Sequence, residues 1–256
     1  MLVLNYCYHG TVDETFISIN QDSPGPRRGN IRSPVNPTET TKVIEINDID
    51  ALEAALSPGD VACVLAEQVM TNIGIIHPEP GYHVTLRKNT QKTGTLPIID
   101  ETHSICIGPR GYTGEYGLKP DMFTLGEPLA GGVPAAIYGF TNEVAEKFYT
   151  RLNLEDSGVG GIGGTLARNT LSIAAMRATL EYVLTESAYK KAIDLLLRFT
   201  HGVESVISDL GLPWIVKRLG CRSEYWFRET LPRNGGEAFA ATDNELDRYI
   251  HLYSLN

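Results

Sequence analysis

The chain has 256 residues, 42% of them hydrophobic and 21% charged, and 22 basic against 31 acidic side chains leave a formal charge of −9. This is globular composition, enough for one large domain or one and a half, and no basic face stands out for binding a phosphate backbone. The four cysteines are scattered without CxxC spacing and read as buried, reduced thiols. No apolar stretch approaches membrane-spanning length, and a cytoplasmic protein with a small-molecule ligand, no nucleic acid and no membrane partner is expected.

The chain opens directly on the apolar run Leu2-Val3-Leu4, a beginning that reads as if upstream sequence were missing. Short apolar runs bounded by turn residues predict buried strands at Leu2–Tyr6, Lys42–Ile46, Val61–Ala66, Leu96–Asp100, Met122–Leu125 and Ala135–Phe140. Helices are predicted between them: Ile49–Leu56 behind an Asp48 cap, Tyr82–Lys92 ending at Thr93-Gly94, and Asn142–Leu152. Residues 20–41, rich in Pro, Gly, Arg and Asn, read as one long loop. A glycine-rich stretch, Gly158–Gly164, precedes predicted helices Leu166–Leu184 and Ala188–Leu210. Two strand-like runs follow, Trp214–Leu219 and Ser223–Arg228, then a helix from near Asp243. The alternation predicts an α/β fold with a mostly parallel sheet in residues 1–185, and part of a smaller α+β unit in residues 186–256.

Three features fall at the carboxyl ends of predicted strands, where open parallel sheets collect ligands. They are Tyr8-His9-Gly10, Asp100-Glu101-Thr102-His103, and the run from Leu125 to Gly132. Asp100 has two readings: a carboxylate partner for a protonated pyridine nitrogen, or a cap or structural ion pair. Tyr8 is either a ring lying flat on a planar heterocycle or a packed surface tyrosine. The glycines around 126–132 and 158–164 allow close backbone approach, but glycine-rich turns are usually only turns.

The order of these motifs is more specific than any one of them. Tyr8-His9-Gly10, AEQVMTNIGIIHPEPGYH (66–83), IIDETHS (98–104), LKPDMFTLGEPLAGGVPAAIYG (118–139) and GGTLARNTLSIAAMRATL (163–180) together resemble the class III pyridoxal phosphate (PLP)-dependent aminotransferases, in particular their glutamate-1-semialdehyde aminomutase-like branch. The resemblance implies a fold type I large domain, PLP as cofactor, a homodimer, and a small amine or amino acid as substrate. It implies a cofactor site of Tyr8, His9, Asn72, Asp100, His103 and Thr165. Tyr8 would stack on the cofactor ring, Asp100 meet the pyridine nitrogen, and Asn72 lie near the phenolic oxygen. Thr165 would reach the phosphate of the neighbouring subunit's cofactor.

The pattern also breaks. Glu127 stands where the family has its Schiff-base lysine, in Leu-Gly-Lys-Pro, and a carboxylate cannot form an imine. Gln68 replaces a proline and Arg168 a glycine. The family's N-terminal segment that grips the cofactor phosphate has no counterpart in the chain, nor has the last part of its small domain. PLP is therefore expected to be held weakly and without a covalent bond, or not at all, and two expectations follow: an aminotransferase or aminomutase with impaired activity, or a non-catalytic remnant or partner subunit of such an enzyme.

Overall fold

The computed structural model describes residues 1–30, 35–151, 163 and 166–255. Its first half builds a six-stranded sheet from β1 (Leu2–Leu4), β4 (Lys42–Ile44), β5 (Cys63–Glu67), β6 (Leu96–Asp100), β7 (Met122–Leu125) and β8 (Ile137–Phe140). The order is β4-β1-β5-β6-β7-β8, parallel throughout except for β8, which runs antiparallel to β7. Every predicted strand of this region is present: β6 and β7 have the predicted bounds, β1, β4 and β8 are two residues shorter, and β5 starts two residues later and ends one later.

β1 shows why such runs lack polar alternation. Leu2 and Leu4 point into a core with Leu52 and Leu56 of helix α1 (Ile49–Leu56) and Tyr82 and Leu86 of helix α2 (Tyr82–Thr93). Val3 points the other way, onto Ile17 and Val43. Both faces of the strand are covered, so both faces are apolar. The predicted helix ends hold: Asp48 Oδ1 accepts from Ala51 N at 2.8 Å, and Gly94 closes α2 with φ +72.

Residues 20–41 are not simply a loop. Ile17–Asn20 (β2) and Ser23–Pro26 (β3) form a hairpin whose turn residues, Gln21 and Asp22, have φ +48 and +64. Two consecutive positive φ values match the twist of paired strands. Pro24 and Pro26 hid the hairpin in the sequence because proline cannot donate to a ladder. They are two residues apart and share one side of β3, while Arg27 N on the opposite parity donates to Phe16 O at 2.9 Å.

A short helix α3 (Gly111–Glu115), helix α4 (Asn142–Arg151) and helix α5 (Thr170–Tyr182) follow in order, then α6 (Glu186–Asp209), the antiparallel pair β9 (Ile215–Leu219) and β10 (Arg222–Trp226), α7 (Gly235–Ala240) and α8 (Asn244–Ser254). α5 starts four residues later than predicted because Asn169 caps it, accepting from Ser172 N. α6 starts two residues earlier because Thr185 caps it.

Residues 220–239 return to the carboxyl edge of the sheet. Trp226 covers Gly74 so closely that a Cβ there would lie 2.2 Å from the indole. Cys221 N donates to Cys106 O at 3.0 Å. The Glu45 carboxylate accepts from Gly235 N and Gly236 N at the start of α7, and Tyr6 stacks on Phe239 with ring centroids 4.9 Å apart.

Candidate functional site

Parallel strands place their carboxyl ends on one edge, and there β1, β5, β6 and β7 release Tyr8, Glu67, Asp100 and Gly126-Glu127. These residues line one cavity of about 660 Å³, joined by His9, Asn72, Thr102, His103 and Tyr138. Six of the seven site residues expected from the sequence therefore meet: Tyr8, His9, Asn72, Asp100, His103 and Glu127. The seventh, Thr165, lies outside the described residues, as does most of the Gly158–Gly164 stretch.

The floor is the pair His9–Asp100. Nδ1 of His9 lies 2.8 Å from Asp100 Oδ2, and the side chains are 3% and 11% exposed. Thr102 N donates to the other oxygen at 3.1 Å. Burial pushes the Asp100 carboxyl up, but the hydrogen bond and charge of His9, with the bonds from Thr102, outweigh it and hold the group below the usual carboxylate range. Asp100 is thus an ionised acid in a recess. The His9 Nε2 is buried without a hydrogen-bond partner among the described residues.

Glu67 organises one wall. Its Oε1 accepts from Asn72 Nδ2 at 2.8 Å and Tyr8 N at 3.3 Å; its Oε2 accepts from Thr71 N at 2.9 Å and Thr71 Oγ1 at 2.5 Å. Four donors satisfy a buried carboxylate, as its 5% exposure demands. Thr71 Oγ1 also lies 2.8 Å from His103 Nδ1. A hydroxyl has one proton, and Glu67 takes it. His103 Nδ1 therefore donates to the hydroxyl oxygen, and in the neutral imidazole Nε2 carries the lone pair. That Nε2 faces Glu127 Oε2 at 3.7 Å.

Glu127 begins a single 3-10 turn, Glu127–Ala130, at the mouth, with its side chain 77% exposed. Gly126 before it is fixed by donating to Thr102 Oγ1 at 3.1 Å. Tyr8, 40% exposed, presents its ring at the same mouth. The other two departures are accommodated differently. Gln68 is buried and satisfied, accepting from Ser104 Oγ at 3.0 Å and donating to Thr113 Oγ1 at 3.1 Å. Arg168 has φ +62, a backbone conformation that favours glycine.

Glu67 and Thr71 were not singled out in the sequence. Glu67 carried the same signal as Asp100, an acid ending an apolar strand. Thr71 carried none, because its role depends on meeting His103, 32 residues on. No group of three or more metal-ligating side chains occurs among the described residues. No helix among them is long and apolar enough to cross a membrane.

Comparison with known proteins bears on the family and the fold. The family Aminotransferase class-III matches residues 2–214. Glutamate-1-semialdehyde 2,1-aminomutase 2 of Brevibacillus brevis is 29% identical over 97% of the chain and 57% of its own length. The aminomutase of Pyrobaculum aerophilum is 35% identical over 74% of the chain and 44% of its own length. The crystal structure of a glutamate-1-semialdehyde-aminomutase from Pseudomonas aeruginosa superposes with a TM-score of 0.90 at 44% identity, over 94% of this chain and 55% of that one. A lysine-to-alanine variant of that protein, equally similar, was solved in complex with PMP. The chain spans about half the length of these relatives, and its sheet and flanking helices are those of a fold type I PLP-dependent transferase, present in part. By the match over most of its length, this chain belongs to the class-III aminotransferase family.

Proposed function

We propose that this chain holds the ring of a pyridoxal-type cofactor without a covalent bond, in the site of an aminotransferase or aminomutase, and that amino-group transfer between amine and carbonyl carbons is impaired or lost in it. The observation that carries the reading is the His9–Asp100 pair, an ionised acid on the floor of a cavity whose described lining contains no lysine. The residues fit the ring. Asp100 would hold a protonated pyridine nitrogen, Tyr8 would offer a flat face, and Leu65, Leu125 and Ile137 supply apolar walls. Asn72, held by Glu67, would lie near the phenolic oxygen, and Thr165 would reach the phosphate in a partner subunit. When bound, such a cofactor supplies an electron-accepting ring.

The residues do not fit covalent attachment. Glu127 can hold a proton, alone or with His103, but it offers no amine. That the lysine-to-alanine variant of the Pseudomonas aeruginosa aminomutase is in complex with PMP supports non-covalent holding at a site of this kind. The substrate, where turnover survives, is a small amine or amino acid. The reading includes a cytoplasmic homodimer and a division into a cofactor-binding unit, residues 1–185, and a smaller unit, residues 186–256. Leu166, Leu171 and Ile173, 81%, 67% and 49% exposed, support a surface that a second subunit covers.

The test is titration with PLP. Binding is expected to be reversible on gel filtration, with no borohydride-fixed adduct on any residue lining the cavity, and Asp100→Asn is expected to weaken it by roughly tenfold. Amino-group transfer through an adduct on another amine, such as Lys119 or Lys147, would overturn the reading.

A further inference from the structure

Three carboxylates line the cavity, and two are committed. Glu67 accepts four hydrogen bonds. Asp100 faces His9 and Thr102. Glu127 accepts no hydrogen bond from a described residue; its close neighbour is Nε2 of His103, at 3.7 Å. Thr71 and Glu67 keep the proton of a neutral His103 on the far ring nitrogen, so its Nε2 and the Glu127 carboxylate are two acceptors turned toward one spot. Two acceptors facing each other call for a donor between them, and beside a carboxylate the favoured donor is a cation. The described lining provides no Lys or Arg to fill that place.

We propose that Glu127, with His103 beside it, makes this cavity select the amine form of a pyridoxal-type cofactor over its aldehyde and alcohol forms. The proposal rests on the reading that the cavity holds the cofactor ring. A primary amine with an ordinary pKa near ~10 is cationic at neutral pH, whereas an aldehyde or hydroxymethyl group is neutral. The carboxylate pairs with the ammonium, and Nε2 of neutral His103 accepts a second of its protons. The Glu127 carboxylate is exposed at the mouth, so the pairing has the strength of a surface ion pair and is screened as salt rises. Glu127 is thereby a specificity-determining residue. It replaces covalent capture of an aldehyde by electrostatic recognition of an amine.

The experiment compares pyridoxamine 5′-phosphate with pyridoxine 5′-phosphate by calorimetric titration of the whole chain. The two differ only in an ammonium against a hydroxyl, and neither forms an imine with surface lysines. The expected result is tighter binding of the amine by roughly three- to fivefold at low salt, shrinking as salt rises. Glu127→Gln should reduce the preference to less than about twofold, and Glu127→Lys should reverse it by like-charge repulsion. Position 127 is exposed, so both variants should melt with the parent, which circular dichroism checks. If both ligands bind the parent equally, or Glu127→Gln keeps the preference, the role of Glu127 is overturned while the cofactor pocket stands. If neither ligand binds, the pocket reading itself fails, and the selectivity with it.

Discussion

Thr71 sets the proton on His103. Its hydroxyl lies between Glu67 Oε2, at 2.5 Å, and His103 Nδ1, at 2.8 Å, so a buried acid decides which ring nitrogen at the cavity mouth is free. Thr71→Val keeps the shape and removes the hydroxyl. In the parent, nitrogen-15 NMR of neutral His103 should show the Nδ1–H tautomer. In the variant the Nε2–H form should appear beside it, with stability lower by about 1–2 kcal/mol because Glu67 loses a donor. An unchanged tautomer ratio would show that the hydroxyl does not govern the ring.

His83 makes the chain acid-sensitive. Burial drives its pKa down to about 4, against the opposing effect of a hydrogen bond with the Gln68 backbone. The native state therefore holds a neutral imidazole, while the unfolded chain takes up a proton near pH ~6.5. The unfolded state binds more protons between those values, so stability is retained above pH ~6.5 and falls as pH drops toward 4, by up to ~1.4 kcal/mol per unit. His83→Phe keeps a ring against Tyr82 and Tyr112, the two aromatic neighbours of His83, and removes the titration. Urea denaturation at pH 7, 6 and 5 should show the variant gaining on the parent with each step down. Parallel curves would refute the assignment.

Gly74 admits no side chain. Its φ is +89, and a Cβ would lie 2.2 Å from the Trp226 ring. Gly74→Ala should destabilise by roughly 2–4 kcal/mol through strain and overpacking. Tryptophan fluorescence should shift to the red as Trp226 leaves the core it shares with Met70 and Ile76. A denaturation midpoint equal to the parent's would mean that the β9–β10 pair is not seated on this loop.

Arg168 is strained where glycine would not be. At φ +62 an L side chain costs roughly 1–2 kcal/mol, part of which is offset because glycine loses more entropy on folding. Arg168→Gly should raise stability by about 0.5–1 kcal/mol in a chemical denaturation series. A loss of stability would show that the Arg168 side chain makes contacts worth more than the strain.

Much of this protein was legible before any tertiary contact was considered. The strands showed as short apolar runs because a parallel sheet buried on both faces needs apolar residues on both, as Leu2, Val3 and Leu4 do. The caps at Asp48 and Gly94 were legible because capping is settled within one helical turn. That Tyr8, Asp100 and Glu127 would meet followed from topology: parallel strands deliver their carboxyl ends to one edge.

The rest depended on partners far apart in the chain. The β2–β3 hairpin read as loop because its prolines suppress the strand signal, and only pairing shows them facing outward. Glu45 gave no sign that it would accept from Gly235, 190 residues later. Glu127 was visible as the wrong residue for an imine. That its carboxylate faces a lone pair on His103, and so has a site for a cation, required Thr71 and Glu67 to settle where one proton lies. The sequence by itself determined which chemical groups reach the sheet edge, because that depends on local periodicity and strand order. The tertiary structure decided how those groups share their protons and charges, because hydrogen bonds among side chains form only once the chain has brought them within about 3 Å.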